Sequence, residues 1–305
     1  MRRILLWAAR NRWLKERLPR FRWVRRATKR FMPGETASDA LTAAETHRAW
    51  GIDAVFTLLG ENLNDLSEAH AVAEAYHGLL DEIAARGLDG EISLKLTQLG
   101  LDLDAETAFT LFDGLAARAA EKGTWAWIDM EGSAYTERTV AFYERARAKQ
   151  ENVGLCLQAY LHRTPVDVQR LLPLRPAIRL VKGAYDEPAS IAYARRPEVD
   201  GAFLTLSTQL LEAVRDGRAR YVAATHDVAL LERMARFGTA IGLDPARMEL
   251  QMLYGIRLDQ QRRLSEAGYD VRALIAYGSA WYPWYMRRLA ERPANLVFAL
   301  RQMLP

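Results

Sequence analysis

The chain has 305 residues, half of them hydrophobic and about a quarter charged, so it can bury a large core as one or two domains. Its single cysteine, Cys156, excludes an intrachain disulfide framework and Cys-rich zinc or iron–sulfur sites, and fits a reducing compartment. The net charge of +4 conceals an asymmetry: residues 1–30 carry twelve Lys/Arg and one acid, Glu16, whereas the rest carries 30 basic and 37 acidic residues.

That basic segment opens a predicted amphipathic helical arm over residues 1–45. Trp7, Trp13, Leu14, Leu18, Phe21, Trp23 and Val24 are interleaved with its charges. Such a pattern suits an anionic membrane surface, a docking partner, or a helix with one solvated face. No nucleic-acid partner is expected. Charge runs through the whole arm and no apolar h-region comes after it, which argues against a secretory signal. No run approaches 18 apolar residues, so no transmembrane helix is expected.

From residue 46 to 305 short β-rich runs alternate with helical patterns. The runs are DAVFTLLGE (53–61), EISLKL (91–96), WAWIDME (125–131), NVGLCLQAYL (152–161), AIRLVKGAY (177–185), YVAATHD (221–227), MELQMLYG (248–255) and VRALIAYG (271–278). Helical spacing recurs between them, as in Leu66, Ala69, Ala73, Tyr76, Leu80 and Ile83, and in Leu230, Met234, Phe237 and Ile241. Eight β–α units with right-handed crossovers predict a parallel α/β structure, a (β/α)8 TIM-like barrel. A doubly wound sheet is the alternative, but no GxGxxG dinucleotide turn is present, nor a Walker A, HExxH or GxSxG motif.

Strand side chains alternate faces. In EISLKL this puts Ile92, Leu94 and Leu96 toward the helices and Ser93 and Lys95 inward. The same alternation groups Thr57 with Glu61, Trp127 with Asp129 and Glu131, Cys156 with Gln158, Thr225 with Asp227, and Glu249 with Gln251 and Leu253. It isolates Arg179 from Ile178 and Leu180. Barrel interiors are ordinarily filled by branched apolar residues, and buried charge needs a partner. Lys95, Asp129, Arg179 and Glu249, on four strands, therefore predict either a site for an ionic ligand at the catalytic end or ion pairs that tie strands together. His226, Asp227 and Glu249 lack the close spacing of a metal site, and no metal is expected. Arg287 and Arg288 come after the last run among Trp281, Tyr282, Trp284 and Tyr285. Helical neighbours point about 100° apart, so both cannot be packed away, and a pair of guanidinium groups beside Lys95 suits the carboxylate or phosphate of a small anionic substrate.

The segments SLKLTQLG, WIDMEGS, LQAYL, IRLVKGAY, ATHD, LQMLYG and WYPWYMRRLAERPAN, in this order, resemble monofunctional bacterial proline dehydrogenases. They are similar also to the corresponding domain of bifunctional proline-utilisation flavoproteins. The resemblance runs from about Glu61 to Asn295. It implies a distorted (β/α)8 barrel that binds FAD noncovalently, oxidises L-proline to Δ1-pyrroline-5-carboxylate and passes electrons to a membrane quinone. It implies that Lys95, Arg287 and Arg288 bind the substrate carboxylate, that Asp129 organises the site, and that Arg179 lies beside the flavin. Met130, Gln158, Lys182, Gly183, Ala184, Thr225, His226 and Glu291 match cofactor positions, Leu253 a wall of the substrate pocket, and Glu61 a gating acid. The enzyme is then expected to be cytoplasmic, with the arm in peripheral contact with the inner face of the membrane near its quinone.

At one position the chain departs from that pattern. The last strand of the family carries a Tyr that packs on the substrate ring and hydrogen-bonds toward the Asp; here that position is Leu274. Tyr277, three residues on, has the opposite parity. Leu274 therefore leaves a same-family flavoenzyme acting on hydroxyproline or another cyclic secondary amine as the alternative.

Overall fold

Each β-rich run forms a strand: β1 (Ile52–Leu58), β2 (Gly90–Leu94), β3 (Ala126–Ile128), β4 (Val153–Gln158), β5 (Ala177–Val181), β6 (Arg220–Ala224), β7 (Glu249–Leu253) and β8 (Asp270–Tyr277). The computed structural model describes residues 31–60, 63–282 and 285–286. The strands pair in parallel and in chain order, and β8 closes on β1 from Ile52↔Val271 to Leu58↔Tyr277. Closure removes both sheet edges and with them the doubly wound alternative.

Eight α-helices surround the barrel among the described residues: α1 (Ala37–Arg48), α2 (Leu66–Ala85), α3 (Ala105–Glu121), α4 (Thr136–Arg147), α5 (Thr164–Leu171), α6 (Arg196–Arg215), α7 (Val228–Ala240) and α8 (Leu258–Glu266). Their starts obey local rules. Asp65 and Asp104 accept hydrogen bonds from the first free backbone N–H groups of α2 and α3. Thr36 and Asp39 form a reciprocal capping box at α1. The apolar stripe of α2 buries Ala69, Ala73, Tyr76, Leu80 and Ile83, as its spacing predicts. Helix α1 precedes the first strand and packs on both β1 and β8, with Leu41 and Ala44 buried. None of the described helices is long and apolar enough to cross a membrane.

The main core lies between the outer faces of the strands and the helices. A smaller apolar cluster, Val55, Trp127, Ala177 and Val222, fills part of the barrel interior. Its largest member depends on a glycine. A Cβ at Gly154, the Cα partner of Trp127 on β4, would stand 2.2 Å from the indole ring. Beyond β8, Trp281 and Tyr285 are buried; Trp281 donates to Glu35 at 3.1 Å, and the Tyr285 ring lies 5.9 Å from that of Phe31.

Candidate active site

Several of the anticipated polar residues stand at or just past strand ends. Lys95 comes directly after β2, Asp129 after β3, and Lys182, Gly183 and Ala184 after β5. This is the C-terminal face, where barrel enzymes place their chemistry. Arg179 reaches it from inside β5 and is 3% exposed. Its Nη2 donates to Ser93 Oγ at 2.7 Å and to Asp129 Oδ1, and its Nη1 donates to Gln251 Oε1 at 3.3 Å. Ser93 donates in turn to Asp129 Oδ1 at 2.9 Å. Side chains from β2 and β7 thus converge with the residue after β3 on one buried cation from β5. Burial is the largest single influence and works against the guanidinium charge, but the Asp129 carboxylate together with Cys156 and Glu91 outweighs it and holds Arg179 above its ordinary pKa. The Cys156 thiol beside it is pushed up by burial.

Around this centre, Gln158 spends its amide N–H groups on the carbonyls of Met130 and Glu131 and leaves its Oε1 buried without a hydrogen-bond partner. Gln251 likewise leaves its Nε2 buried and unpartnered. Unmet buried polar atoms are uncommon in proteins. Here one acceptor and one donor flank a buried cation, a set suited to a flat heterocycle with mixed donors and acceptors on its edge, such as a flavin. Lys182 is held by Asp200 at 2.5 Å and by Asp227 at 2.9 Å, which ties the loop after β5 to the one after β6. Gly183 has φ +123°, and a Cβ there would stand 2.2 Å from the Tyr160 ring, so this turn needs glycine for its own packing. Thr225 and His226 come after β6, and the Thr225 hydroxyl accepts from the Asp227 N–H at 3.2 Å. Leu253 ends β7 and is the Cα partner of Leu274 on β8; Leu274 is half-buried and packs against the interior apolar cluster. Glu61, Arg287, Arg288 and Glu291 lie outside the described residues.

Two expectations need correction. On β6 the inward set is Arg220, Val222 and Ala224, with Val222 in the interior cluster and Arg220 bonded to interior carboxylates. Thr225 and Asp227 have the other parity and lie past the end of the strand, where alternation no longer applies. Glu249 does not join the upper site. It opens β7 at the opposite end of the barrel and pairs with Arg220 at 2.6 and 2.7 Å. Alternation reports which face a side chain occupies and says nothing of its depth along the barrel axis.

The far end holds a second layer that periodicity and residue type leave unassigned. Arg220 also donates to Glu91 at 2.6 Å, and Arg272 donates to Asp89 at 2.8 Å and stands 3.7 Å from Glu91. Burial raises the pKa of Glu249 despite Arg220, and does the same at Asp53 and Asp270 despite Arg272. The ion-pair alternative for the interior charges is thus met at this end of the barrel. A signal for the lower layer exists in the sequence: Glu91 shares the parity of Ser93 and Lys95, and Asp270 and Arg272 share that of Leu274. Among the described residues no group of three or more His, Cys, Asp or Glu is arranged to hold a metal ion.

Comparison with known proteins agrees with the fold and extends past it. The family model described as Proline dehydrogenase matches residues 40–301. The chain is 34% identical to Proline dehydrogenase 1 of Bacillus subtilis subsp. natto, over 100% of this chain and 99% of that protein. It is 35% identical to Proline dehydrogenase of Deinococcus radiodurans, over 90% and 89%. Among solved structures, proline utilization A from Bdellovibrio bacteriovorus inactivated by N-propargylglycine superposes with a TM-score of 0.82 at 22% identity; the match covers 92% of this chain and 34% of that one.

Proposed function

The chain belongs to the proline dehydrogenase family, and from that premise we propose that it is an FAD-dependent dehydrogenase that oxidises L-proline to Δ1-pyrroline-5-carboxylate and delivers the electrons to a quinone. The observation that carries this reading is the buried Arg179, fixed by Asp129, Ser93 and Gln251 at the C-terminal face of the barrel.

Removing hydride from a ring carbon beside nitrogen requires an acceptor that no side chain offers; bound FAD supplies it. Gln158, with its unpartnered buried oxygen, would hold the flavin together with Arg179, Met130, Lys182, Gly183, Ala184, Thr225, His226 and Glu291. Gln251 adds an unpartnered N–H to the same set. Lys95, Arg287 and Arg288 clamp the substrate carboxylate and orient the ring, converting an encounter into a fixed approach. Leu253 and Leu274 wall the pocket and exclude water. Asp129 does not touch the reacting carbon in this scheme; it holds the Arg179 charge where negative charge accumulates during reduction, which favours the reduced state electrostatically. Glu61 gates the entrance. The substrate amine must reach the site neutral, since a protonated nitrogen has no lone pair with which to expel hydride. The basic arm docks the enzyme on an anionic membrane surface, where quinones reside.

Purified protein should be yellow, and its visible absorbance should bleach when proline is added without oxygen. A colourless protein that takes up no added FAD sinks the reading. A second substrate class stands beside proline because of one feature, the apolar Leu274 facing the interior. Bleaching by hydroxyproline and not by proline selects it.

A further inference from the structure

Between the upper and lower charged layers stands one fully buried ring, Trp127. Its indole Nε1 donates to Glu91 Oε2 at 2.6 Å. The guanidinium carbon of Arg179 lies over the ring at 5.1 Å from its centroid, and that of Arg220 at 5.2 Å. Register places the two arginines at different depths: Arg220 is level with Ala177 on β5, two residues before Arg179. Arg220 is itself gripped by Glu91 and Glu249. Gly154 gives the ring its place, since any Cβ there would overlap it.

A filler side chain needs volume only. This ring has a tethered edge and two cations against its π system. Asp129, Ser93 and Gln251 bond Arg179 through the N–H groups that lie in the guanidinium plane. Such bonds fix the edges of the group and leave its tilt soft. A π face beneath the cation attracts it and sets its height.

We propose that Trp127 is a positioning residue for Arg179: its ring seats the guanidinium, and Glu91 with Arg220 holds the ring. The lower ionic layer then serves the reaction from the far end of the barrel without touching substrate. This rests on the reading above, in which Arg179 lies beside bound FAD.

The test is the two-electron midpoint potential of the FAD-loaded protein, measured by equilibration with a reference dye, in wild type, Trp127→Leu and Trp127→Phe. A well-placed cation favours reduced flavin, so Trp127→Leu should shift the equilibrium toward oxidised flavin about tenfold, on the order of 30 mV more negative. Trp127→Phe keeps an aromatic face and should stay within about threefold of wild type. A purely structural role lowers Tm in both variants and leaves the potential of the folded, flavin-loaded protein unmoved. Wild-type potential in Trp127→Leu overturns the inference, and so does a Phe variant displaced as far as the Leu one. If Trp127→Leu does not fold, Glu91→Gln loosens the tether while keeping the ring; it should shift the equilibrium about threefold the same way, and no shift overturns the inference. Failure of the wild type to take up FAD overturns the underlying functional reading instead.

Discussion

In the proposed function, the choice of substrate turns on Leu274. It stands inside the barrel on β8, opposite Leu253 on β7 and Val55 on β1, half-buried against the interior cluster. An aromatic hydroxyl at this position would point the way Leu274 does and offer Asp129 a donor. Leu274→Tyr should therefore strengthen proline binding. One added hydrogen bond and ring contact contribute about 1–1.5 kcal/mol, on the order of tenfold in KM. Steady-state kinetics with proline and hydroxyproline check this, and an unchanged KM for proline would remove the emphasis on this position. The residue scale is also where the sequence is most legible. Lys95, Asp129 and Arg179 are singled out by type and spacing, and the structure puts all three at the C-terminal face. Ser93 and Gln251 fall on the right face by alternation but without a role, because a hydroxyl and an amide announce nothing until their partners are known.

At the scale of elements, the barrel interior divides by depth. The starts of β2, β6, β7 and β8 contribute the lower ionic layer, and their ends contribute the upper site. Arg220 is the hub of the lower layer, bonded to Glu91 and Glu249. Arg220→Met removes the cation that hydrogen-bonds two buried carboxylates and should cost about 3–5 kcal/mol of stability, the usual effect of breaking one side of a buried pair; chemical denaturation measures it, and a loss under about 1 kcal/mol would mean that Arg272 or water takes its place. Glu249 adds a pH signature. Its folded pKa is raised, chiefly by burial, so the folded state binds its proton more tightly than the unfolded chain does. Its contribution to stability is then fully present below the unfolded value of about 4.3 and is lost as pH rises through the raised folded value. Wild type should accordingly lose stability relative to Glu249→Gln as pH rises from about 4 toward neutrality. A wild type that gains on the variant over that interval contradicts the assignment. The many surface carboxylates held low by arginine partners, such as Glu106 by Arg145, slope the other way in both proteins and cancel in the difference.

For the molecule as a whole, the charge asymmetry is the unusual property. Residues 31–305 carry an excess of acid, and the first 30 residues carry twelve basic side chains. An anionic surface repels the acidic part of such a chain and attracts its basic segment. Deleting residues 1–30 should abolish co-sedimentation with vesicles containing anionic lipid while leaving proline-dependent bleaching of the flavin in solution within about twofold. Binding by the full-length protein should weaken steeply with salt, since the attraction is screened over about 10 Å at 0.1 M. Unchanged partitioning of the truncated protein would end the docking proposal.

The sequence by itself determined that there are eight β–α units, which faces of most strands look inward, and which family the motifs belong to. Those are consequences of local periodicity and of residue chemistry, and both are written along the chain. The tertiary structure alone decided depth and partnership. It placed Glu249 with Arg220 at the bottom and not with Arg179 at the top, ended β6 before Thr225, and laid Trp127 between two arginines from neighbouring strands. Depth arises from the stagger of parallel strands around a closed barrel, a property of all eight strands together. Partnership arises from depth, because a buried charge takes the nearest opposite charge at its own level, however far away that residue lies in the sequence.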